Sequence, residues 1–309
     1  MTSDPTLLNG VIPPVVTPVD ERGEVDRDSL ARLIGFLLDA GADGVFVGGS
    51  TGEVALLDSA DRRTAIGVAV ATAGGRVPVL AGAVDTGTRR VIEQARAAAA
   101  LGADAVVVTA PFYVQPNDAE IVAHYRQVAA AVDVPVIAYD IPGAVGVRLA
   151  PRVVAELADA KAVVALKDSS GDLAGLRETL RLVRPGFPVL TGSELIADVS
   201  VRLGAAGIVP GLGNVDPHGY VRLYRAAAAG DLDAARAEQD RLARLFAIVS
   251  VADRGRIGYT AGALGAFKAA LAERGVIARA DTLPPLSPLT SGEVAAVAEI
   301  LAEVGLGRA

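Results

Sequence analysis

Short apolar segments alternate along the chain with longer segments in which apolar residues recur every three or four positions. Eight Val- and Ile-rich segments occur, at residues 11–19, 44–49, 77–84, 105–113, 134–142, 162–170, 187–194 and 207–214. They are apolar at successive positions, as in the strands of a parallel sheet that is covered on both faces. Successive segments begin roughly 20–35 residues apart, which is the length of a strand–helix unit and not of a solenoid repeat. The pattern therefore predicts eight βα units.

The segments between the predicted strands carry helix signals. Residues 26–40 place five large apolar side chains on one helical face, and Gly41 follows as a stop. Those side chains are Leu30, Leu33, Ile34, Leu37 and Leu38. The residues expected to cap or begin the later helices are Asp58 or Ser59, Thr86 or Thr88, Asn117 and Pro151.

Eight βα units in succession predict an α/β fold, a (β/α)8 TIM barrel over residues 9–224 that closes near Asn214. The alternative is an open doubly wound sheet, which usually carries a glycine fingerprint after its first strand. Here the first strand runs into TPVDERGEVD, which contains no such fingerprint. Helical patterns at 231–251, 258–274 and 291–304, the last preceded by a proline-rich turn at 282–290, predict a C-terminal helical extension. It is assigned to residues 225–309 and is expected to pack on the barrel.

Composition narrows the class of protein. Of 309 residues, 51% are hydrophobic and 21% are charged, so a large core is expected and disorder is not. Cysteine is absent and the two histidines, His124 and His218, stand far apart, which predicts neither disulfides nor a metal site. The net charge of −7 disfavours nucleic-acid binding. No apolar run approaches the ~20 residues of a membrane span, and no signal peptide is visible. The expectation is a cytoplasmic enzyme without a cofactor.

Two polar residues end neighbouring predicted strands, where barrel enzymes place their chemistry. Lys167 follows the apolar run Val163–Leu166, and removal from water disfavours an ammonium and leaves an amine able to attack a carbonyl. A lysine that packs its stem and reaches solvent fits the sequence equally well. Tyr139 ends the preceding strand, where a phenol can move protons beside that amine. A structural barrel-lining tyrosine is the alternative.

The second predicted strand ends in GGSTGE at 48–53. The backbone N–H groups around Gly49, together with the hydroxyls of Ser50 and Thr51, can form a nest for a small carboxylate. An ordinary tight turn capped by Thr51 is the alternative. Strand four ends in the aromatic pair of Phe112 and Tyr113. Strands seven and eight end in glycine-rich turns that would let the backbone approach a ligand.

Four motifs in this order resemble the dihydrodipicolinate synthase / N-acetylneuraminate lyase family of class I aldolases. They are GGSTGE at 48–53, PFY at 111–113, YDIPGAVG at 139–146 and KDSSGD at 167–172. Each stands at the end of a predicted strand, and the resemblance covers nearly the whole chain. It implies a lyase that forms a lysine Schiff base with pyruvate or another 2-oxo acid, and commonly a homotetramer built as a dimer of dimers.

The resemblance also implies roles for single residues. Lys167 resembles the Schiff-base lysine and Tyr139 the general acid/base. Ser50 and Thr51 match positions that hold the 2-oxo acid carboxylate and relay protons, and Tyr113 matches a tyrosine that reaches into the neighbouring subunit. The positions that resemble substrate-binding ones are Ser169, Gly192 and Val209.

One departure bears on the substrate. The synthase branch carries an arginine two residues beyond the proline of the tyrosine loop, where Ala144 stands here. The loss of a bidentate carboxylate partner disfavours dihydrodipicolinate synthase, although Arg148 could substitute. KDSSGD resembles members that cleave a 2-keto-3-deoxy sugar acid or a 4-hydroxy-2-oxo acid to pyruvate and an aldehyde, which is the expected reaction. The alternatives are the synthase, a Schiff-base dehydratase of a deoxy sugar acid, and a non-catalytic barrel that binds 2-oxo acids.

Overall fold

The computed structural model describes residues 8–309, and in this range eight strands form one parallel sheet with the order β1-β8-β7-β6-β5-β4-β3-β2. The strands are β1 (Gly10–Val11), β2 (Val45–Val47), β3 (Val79–Gly82), β4 (Ala105–Thr109), β5 (Val136–Asp140), β6 (Ala165–Asp168), β7 (Val189–Thr191) and β8 (Gly207–Ile208). The helices are α1 (Arg27–Asp39), α2 (Ser59–Ala73), α3 (Thr88–Ala100), α4 (Asp118–Ala129), α5 (Pro142–Val145), α6 (Pro151–Asp159), α7 (Leu173–Leu182), α8 (Ala197–Leu203), α9 (Pro217–Ala229), α10 (Leu232–Phe246), α11 (Tyr259–Glu273) and α12 (Ser291–Glu303).

The sheet closes on itself. β1 pairs with β8, and on the other side Pro14 forms a parallel bridge to Phe46 in β2. There the Phe46 N–H donates to the Pro13 carbonyl at 3.0 Å, and the Val15 N–H donates to the Phe46 carbonyl at 2.8 Å. An open doubly wound sheet would leave both edges unpaired. The predicted barrel is confirmed, and the open-sheet alternative is wrong.

Both faces of the strands are buried, as the continuous apolar runs predict. In β4, Val106 and Val108 face the outer core between sheet and helices, whereas Val107 points into the barrel. The inner cluster is Leu8, Ile12, Phe46, Leu80, Ala105, Val107, Ile137, Tyr139, Ala165, Leu190 and Val209. Because side chains alternate along a strand, each of the six strands β2 to β7 contributes to both clusters. Tyr139 belongs to the inner one, and therefore to the barrel interior.

Most of the predicted helix starts are confirmed. Asp26 caps α1 by accepting the Ser29 N–H, Asp58 caps α2, and Asn117 forms a capping box with Glu120 at the start of α4. α3 begins at Thr88, one of the two threonines expected at its start, although its N-cap is Gly87 and no side chain caps it. The Thr88 hydroxyl lies 2.9 Å from Nδ1 of His124 instead.

The three C-terminal helices follow the predicted patterns. α11 is buried on most of its circumference. Five of its residues line a cavity that the strand ends also line, so the extension covers the carboxyl end of the barrel: Tyr259, Thr260, Ala263, Leu264 and Phe267. The division of the chain at residue 224 stays a prediction, and it falls within α9. None of the helices between residues 8 and 309 is long and apolar enough to cross a membrane.

Candidate active site

Lys167 and Tyr139 are neighbours at the carboxyl end of the barrel. β5 and β6 pair with Tyr139 opposite Lys167, so both side chains point to the same, inner face. Nζ of Lys167 lies 4.0 Å from the centre of the Tyr139 ring and 4.7 Å from that of Phe46. Lys167 is only 5% exposed. The lysine therefore ends inside the barrel among aromatic rings, and not in solvent.

The GGSTGE loop brings two hydroxyls to the same place. Its backbone turns sharply at Gly48, which has φ of +65°, and passes very close to β3. A Cβ on Gly82 would stand 1.8 Å from the Gly48 carbonyl oxygen, so only glycine fits at that crossing. This turn carries Ser50 and Thr51 to the wall of the cavity that holds Lys167.

The cavity has a volume of about 400 Å³ and collects most of the residues predicted from the strand ends. Ser169, Gly192 and Val209 line it together with Lys167, Tyr139, Ser50 and Thr51. A Cβ on Gly192 would stand 2.1 Å from the hydroxyl oxygen of Ser169, so glycine there leaves room for this side chain. Within the part of the chain that is described, the side chains form no group suited to a metal ion.

Two predicted residues lie outside this cavity. Gly49 packs behind the loop, where an added Cβ would approach the Phe46 ring to 2.6 Å, and it does not line the cavity. Tyr113 is 97% exposed and has a left-handed backbone with φ of +69°. Its ring projects from the surface, so within one chain it does not join Lys167. Its neighbour Phe112 lines a second, largely apolar cavity of about 320 Å³, which shares Ser50 with the first.

Arg148 does not take the place of the missing arginine. Its guanidinium Nε lies 3.0 Å from Asp140 Oδ2, and another of its nitrogens lies 2.8 Å from Asp172 Oδ2. Asp140 is buried and also accepts the Leu149 N–H at 3.0 Å. Burial raises the pKa of Asp140 above its ordinary value, and the hydrogen bond from Leu149 and the charge of Arg148 oppose that rise. Arg148 therefore fastens the loop after β5, whose Ala144 faces the cavity.

Glu194 is a site residue to which the sequence analysis assigned no role. It follows β7 and lines the cavity, with Oε1 accepting the Leu212 N–H at 2.6 Å and the Tyr220 hydroxyl at 3.4 Å. Burial raises the pKa of Glu194 to about 7, although the hydrogen bonds and the charge of Lys167 act to lower it. The signal that could have found it is its position, three residues after the end of β7.

The extension supplies a second group of residues that the strand-end rule could not find. Tyr259, Thr260 and Phe267 of α11, with Phe246 of α10, form the wall opposite the strand ends. They lie far along the chain from any predicted strand, and only tertiary packing brings them to the site. The two histidines stay outside: burial lowers the pKa of His124 to about 4, and His218 packs edge-on against Phe36.

The profile of the dihydrodipicolinate synthetase family matches residues 7–304 of the chain. The chain belongs to this family. Members of the dihydrodipicolinate synthetase family are Schiff-base class I aldolases that act on pyruvate, so the family assignment and the buried strand-end lysine agree. The resemblance seen in the four motifs is thereby confirmed.

Relatives in the family carry two kinds of name. A 4-hydroxy-tetrahydrodipicolinate synthase of Stenotrophomonas maltophilia is 41% identical over 235 residues, 76% of this chain and 79% of the relative. A DapA-like lyase of Halobacterium salinarum, described as uncharacterised, is 38% identical over 99% of this chain and 97% of its own length.

Solved structures of the dihydrodipicolinate synthetase family superpose over nearly the whole chain. YagE, a prophage protein of Escherichia coli K12 solved in complex with pyruvate, has a TM-score of 0.90 at 32% identity and covers 97% of this chain and 99% of its own. The dihydrodipicolinate synthase of Aquifex aeolicus has a TM-score of 0.89 at 29% identity, with the same coverage. These likenesses extend through the C-terminal helices as well as the barrel.

Proposed function

We propose that this protein is a pyruvate-type Schiff-base aldolase that reversibly cleaves a 2-keto-3-deoxy sugar acid or a 4-hydroxy-2-oxo acid to pyruvate and an aldehyde. The observation that carries the proposal is the register of β5 and β6, which puts the buried Lys167 beside Tyr139 in the cavity lined by Ser50 and Thr51. Such a site holds an amine, a proton-transferring phenol and donors for a carboxylate, which are the parts that imine chemistry on a 2-oxo acid requires.

The residues divide the chemistry as follows. Lys167 Nζ adds to the C2 carbonyl of the 2-oxo acid, and loss of water gives a protonated imine. Tyr139 takes the proton of the C4 hydroxyl as the C3–C4 bond breaks. The electron pair of that bond passes into the imine, which becomes an enamine, and the C4 side of the substrate leaves as the aldehyde. Protonation of C3 and hydrolysis of the imine then release pyruvate and the free lysine. Ser50 and Thr51 hold the carboxylate, and Ser169, Gly192 and Val209 lie along the remainder of the substrate.

The charges around the cavity favour an uncharged aldehyde half. Ala144 stands on the wall of the cavity where the synthase branch has its arginine, and Arg148 is engaged by Asp140 and Asp172. Glu194 adds a carboxylate to the lining of this cavity. A second substrate carboxylate would meet this negative charge, whereas a hydroxyl could donate to it. This supports a hydroxylated, neutral aldehyde over aspartate semialdehyde.

The second candidate is dihydrodipicolinate synthase, because the relative from Stenotrophomonas maltophilia bears a synthase name at 41% identity. A panel of acids separates the candidates: several 2-keto-3-deoxy sugar acids, 4-hydroxy-2-oxoglutarate, and pyruvate with aspartate semialdehyde. We expect pyruvate and an aldehyde from a sugar acid. Turnover only with aspartate semialdehyde would establish the synthase. Loss of water without pyruvate would establish a dehydratase, and binding without any product would establish a non-catalytic barrel.

The exposed Tyr113 supports a homotetramer built as a dimer of dimers. An aromatic side chain that is 97% exposed, on a backbone with positive φ, is unusual on a free surface. In the proposed assembly the Tyr113 side chain enters the site of the neighbouring subunit. There its hydroxyl joins those of Ser50 and Thr51 in transferring protons.

A further inference from the structure

A buried ion pair joins the GGSTGE loop to the C-terminal extension. Oε1 of Glu53 pairs with Nζ of Lys268, and both side chains are 0% exposed. Glu53 Oε2 also accepts the Leu283 N–H at 2.7 Å, and Lys268 Nζ donates to the Asp281 carbonyl at 2.7 Å. Burial lowers the pKa of Lys268, while the charge of Glu53 raises it and so favours the paired ammonium.

The acidic partner is part of the loop that carries the two catalytic hydroxyls. Glu53 closely follows Ser50 and Thr51 along the chain, and its N–H donates to the Ser50 carbonyl at 3.2 Å. Its φ is +59°, a conformation that a residue with a side chain adopts only where its surroundings hold it. The Thr17 hydroxyl donates to the carbonyl of Gly52, the preceding residue, at 2.8 Å. The turn is therefore fixed by tertiary contacts, and those of Glu53 reach into the extension.

The basic partner lies on the helix that covers the site. Lys268 follows Phe267 in α11, and Phe267 lines the cavity of Lys167. Leu283 and Asp281 belong to the segment between α11 and α12. One ion pair with its two flanking hydrogen bonds therefore connects the carboxylate-binding turn, the covering helix and the segment that leads to α12.

A buried ion pair is a poor way to gain stability. Removing two charges from water costs much of what their attraction returns, and apolar side chains of similar size often stabilise a fold as well. What the pair does provide is a fixed geometry, because a buried charge tolerates only a position that keeps its partner in contact. The pair stands where the position of two hydroxyls matters most.

We propose that Glu53 and Lys268 are positioning residues that hold Ser50 and Thr51 against the carboxylate of the 2-oxo acid. The C-terminal extension then acts on the chemistry through this pair as well as by covering the cavity. The proposal rests on the proposed function, since it assumes a 2-oxo acid bound as an imine on Lys167.

The test compares four variants for borohydride trapping of pyruvate and for turnover. E53Q keeps the acceptor for the Leu283 N–H and removes the charge, and K268R keeps the charge. E53Q/K268M removes both charges, so that neither is left buried and unpaired. The matched control is E293Q, which breaks the ion pair of Glu293 with Arg256, also in the extension and away from the turn.

We expect kcat/KM to fall about 100-fold in E53Q, the size expected when a catalytic group is displaced by about 1 Å. K268R should keep most of the wild-type rate, and E293Q should lose stability without losing kcat/KM. The decisive variant is E53Q/K268M. Its thermal midpoint should recover relative to that of E53Q, because no buried charge is left unpaired. Its kcat/KM should stay low, because the ion pair that holds the GGSTGE loop is still missing. If activity returned together with stability, the pair would be merely structural and the proposal would be overturned.

A second readout distinguishes weaker binding of the substrate carboxylate from a non-specific loss of imine formation. Methyl pyruvate offers the same ketone without the charge, so its trapping should change little in E53Q while that of pyruvate weakens. Equal loss for both compounds would contradict the positioning role. Trapping in the wild-type protein separates failure of the positioning role from failure of the proposed function. A pyruvate adduct in wild type with unchanged trapping in E53Q would overturn this proposal alone, and no adduct in wild type would overturn the proposed function with it.

Discussion

At the scale of single residues, the surroundings of Lys167 differ from those of a surface lysine. Only 5% of the residue remains exposed to solvent, and the centres of two aromatic rings lie 4.0 Å and 4.7 Å from Nζ. These contacts hold the amine inside the cavity that Ser50 and Thr51 also line. Tyr139 stands opposite Lys167 in the register of the sheet, which is the neighbourhood that the proposed proton transfer requires.

Replacing Tyr139 by phenylalanine tests its role as acid/base. The substitution keeps the ring that packs on Phe46 and Lys167 and removes only the hydroxyl. Turnover should fall by about 100- to 10,000-fold, the usual contribution of a positioned acid or base. The measurement is single-turnover cleavage, with imine trapping and the thermal midpoint as controls for binding and folding. An unchanged rate would leave Tyr139 as a lining residue.

Glu194 should make substrate choice depend on pH. Its pKa of about 7 means that the carboxyl is neutral below this pH and negative above it. Repulsion of a substrate with a second carboxylate should therefore weaken as the pH falls. We expect catalytic efficiency toward the dicarboxylate 4-hydroxy-2-oxoglutarate, relative to that toward a neutral-tailed 2-keto-3-deoxy sugar acid, to rise as the pH is lowered from about 8 to about 6, roughly one unit either side of this pKa.

The variant E194Q supplies the control for this pH dependence. Glutamine keeps the acceptor for the Leu212 N–H and carries no charge at any pH, so the ratio of the two efficiencies should be high throughout and should not vary. A wild-type ratio that is flat across the range, or a variant that keeps the pH dependence, would contradict the role assigned to Glu194.

At the scale of elements, the turn after β5 depends on one arginine. Arg148 neutralises the buried Asp140, whose pKa burial already raises above its ordinary value of 3.8. In R148M that carboxylate would lose its charge partner, and the protein should be less stable at neutral pH by about 1–3 kcal/mol. Since Arg148 is partly exposed, solvent screening places the expected value toward the lower end.

The sign of the pH effect follows from the raised pKa. A protonated Asp140 needs no partner, so the stability deficit of R148M relative to wild type should shrink as the pH falls through the folded-state pKa of Asp140. Urea unfolding of both proteins from about pH 7 to about pH 4, a range that ends near the ordinary carboxyl pKa, measures it. A deficit that is constant over the range would mean that Asp140 is not the group left unpaired.

The elements also mark what the sequence could and could not predict. The strands can be predicted because a buried parallel strand is apolar at successive positions. The barrel rule points to Lys167, Tyr139 and the GGSTGE loop at the strand ends, whereas Ser169, Gly192 and Val209 follow from the resemblance to the family. Glu194 has no role in the sequence analysis because the burial that sets it apart from other carboxylates comes from tertiary packing. Tyr259 and Thr260 were missed because the face that a helix of the extension turns to the barrel is set by packing and leaves no local signal. α3 begins at Thr88 as predicted, and the side-chain cap that such a start often has is absent.

At the scale of the whole molecule, the barrel carries the proposed reacting groups, and the C-terminal extension covers the cavity that contains them. The two parts share one site, because α11 forms the wall opposite the strand ends and Lys268 fastens the GGSTGE loop. One predicted site residue, Tyr113, faces solvent in the single chain. In an oligomer its side chain would be buried in the site of a second subunit.

Mixing two inactive variants tests whether Tyr113 acts across subunits. K167A lacks the nucleophile and Y113F lacks the phenol, so each homo-oligomer should turn over slowly or not at all. In a mixed oligomer, a Y113F subunit keeps Lys167 and can receive Tyr113 from a K167A neighbour. Activity should therefore return on mixing and reassociation, with sedimentation giving the oligomeric state. Full activity of Y113F alone, or no recovery in proven mixed oligomers, would contradict the arrangement.

The most direct measurement is borohydride reduction in the presence of pyruvate, followed by peptide mass analysis. The chain has three lysines, and they differ sharply: Lys161 is exposed, Lys268 is paired with Glu53, and Lys167 lies in the cavity. We expect one pyruvate-sized adduct on Lys167, its loss in K167A, and its retention in K161A. An adduct on another amine, or none under conditions where the protein is folded, would contradict the assignment of Lys167 as the Schiff-base lysine.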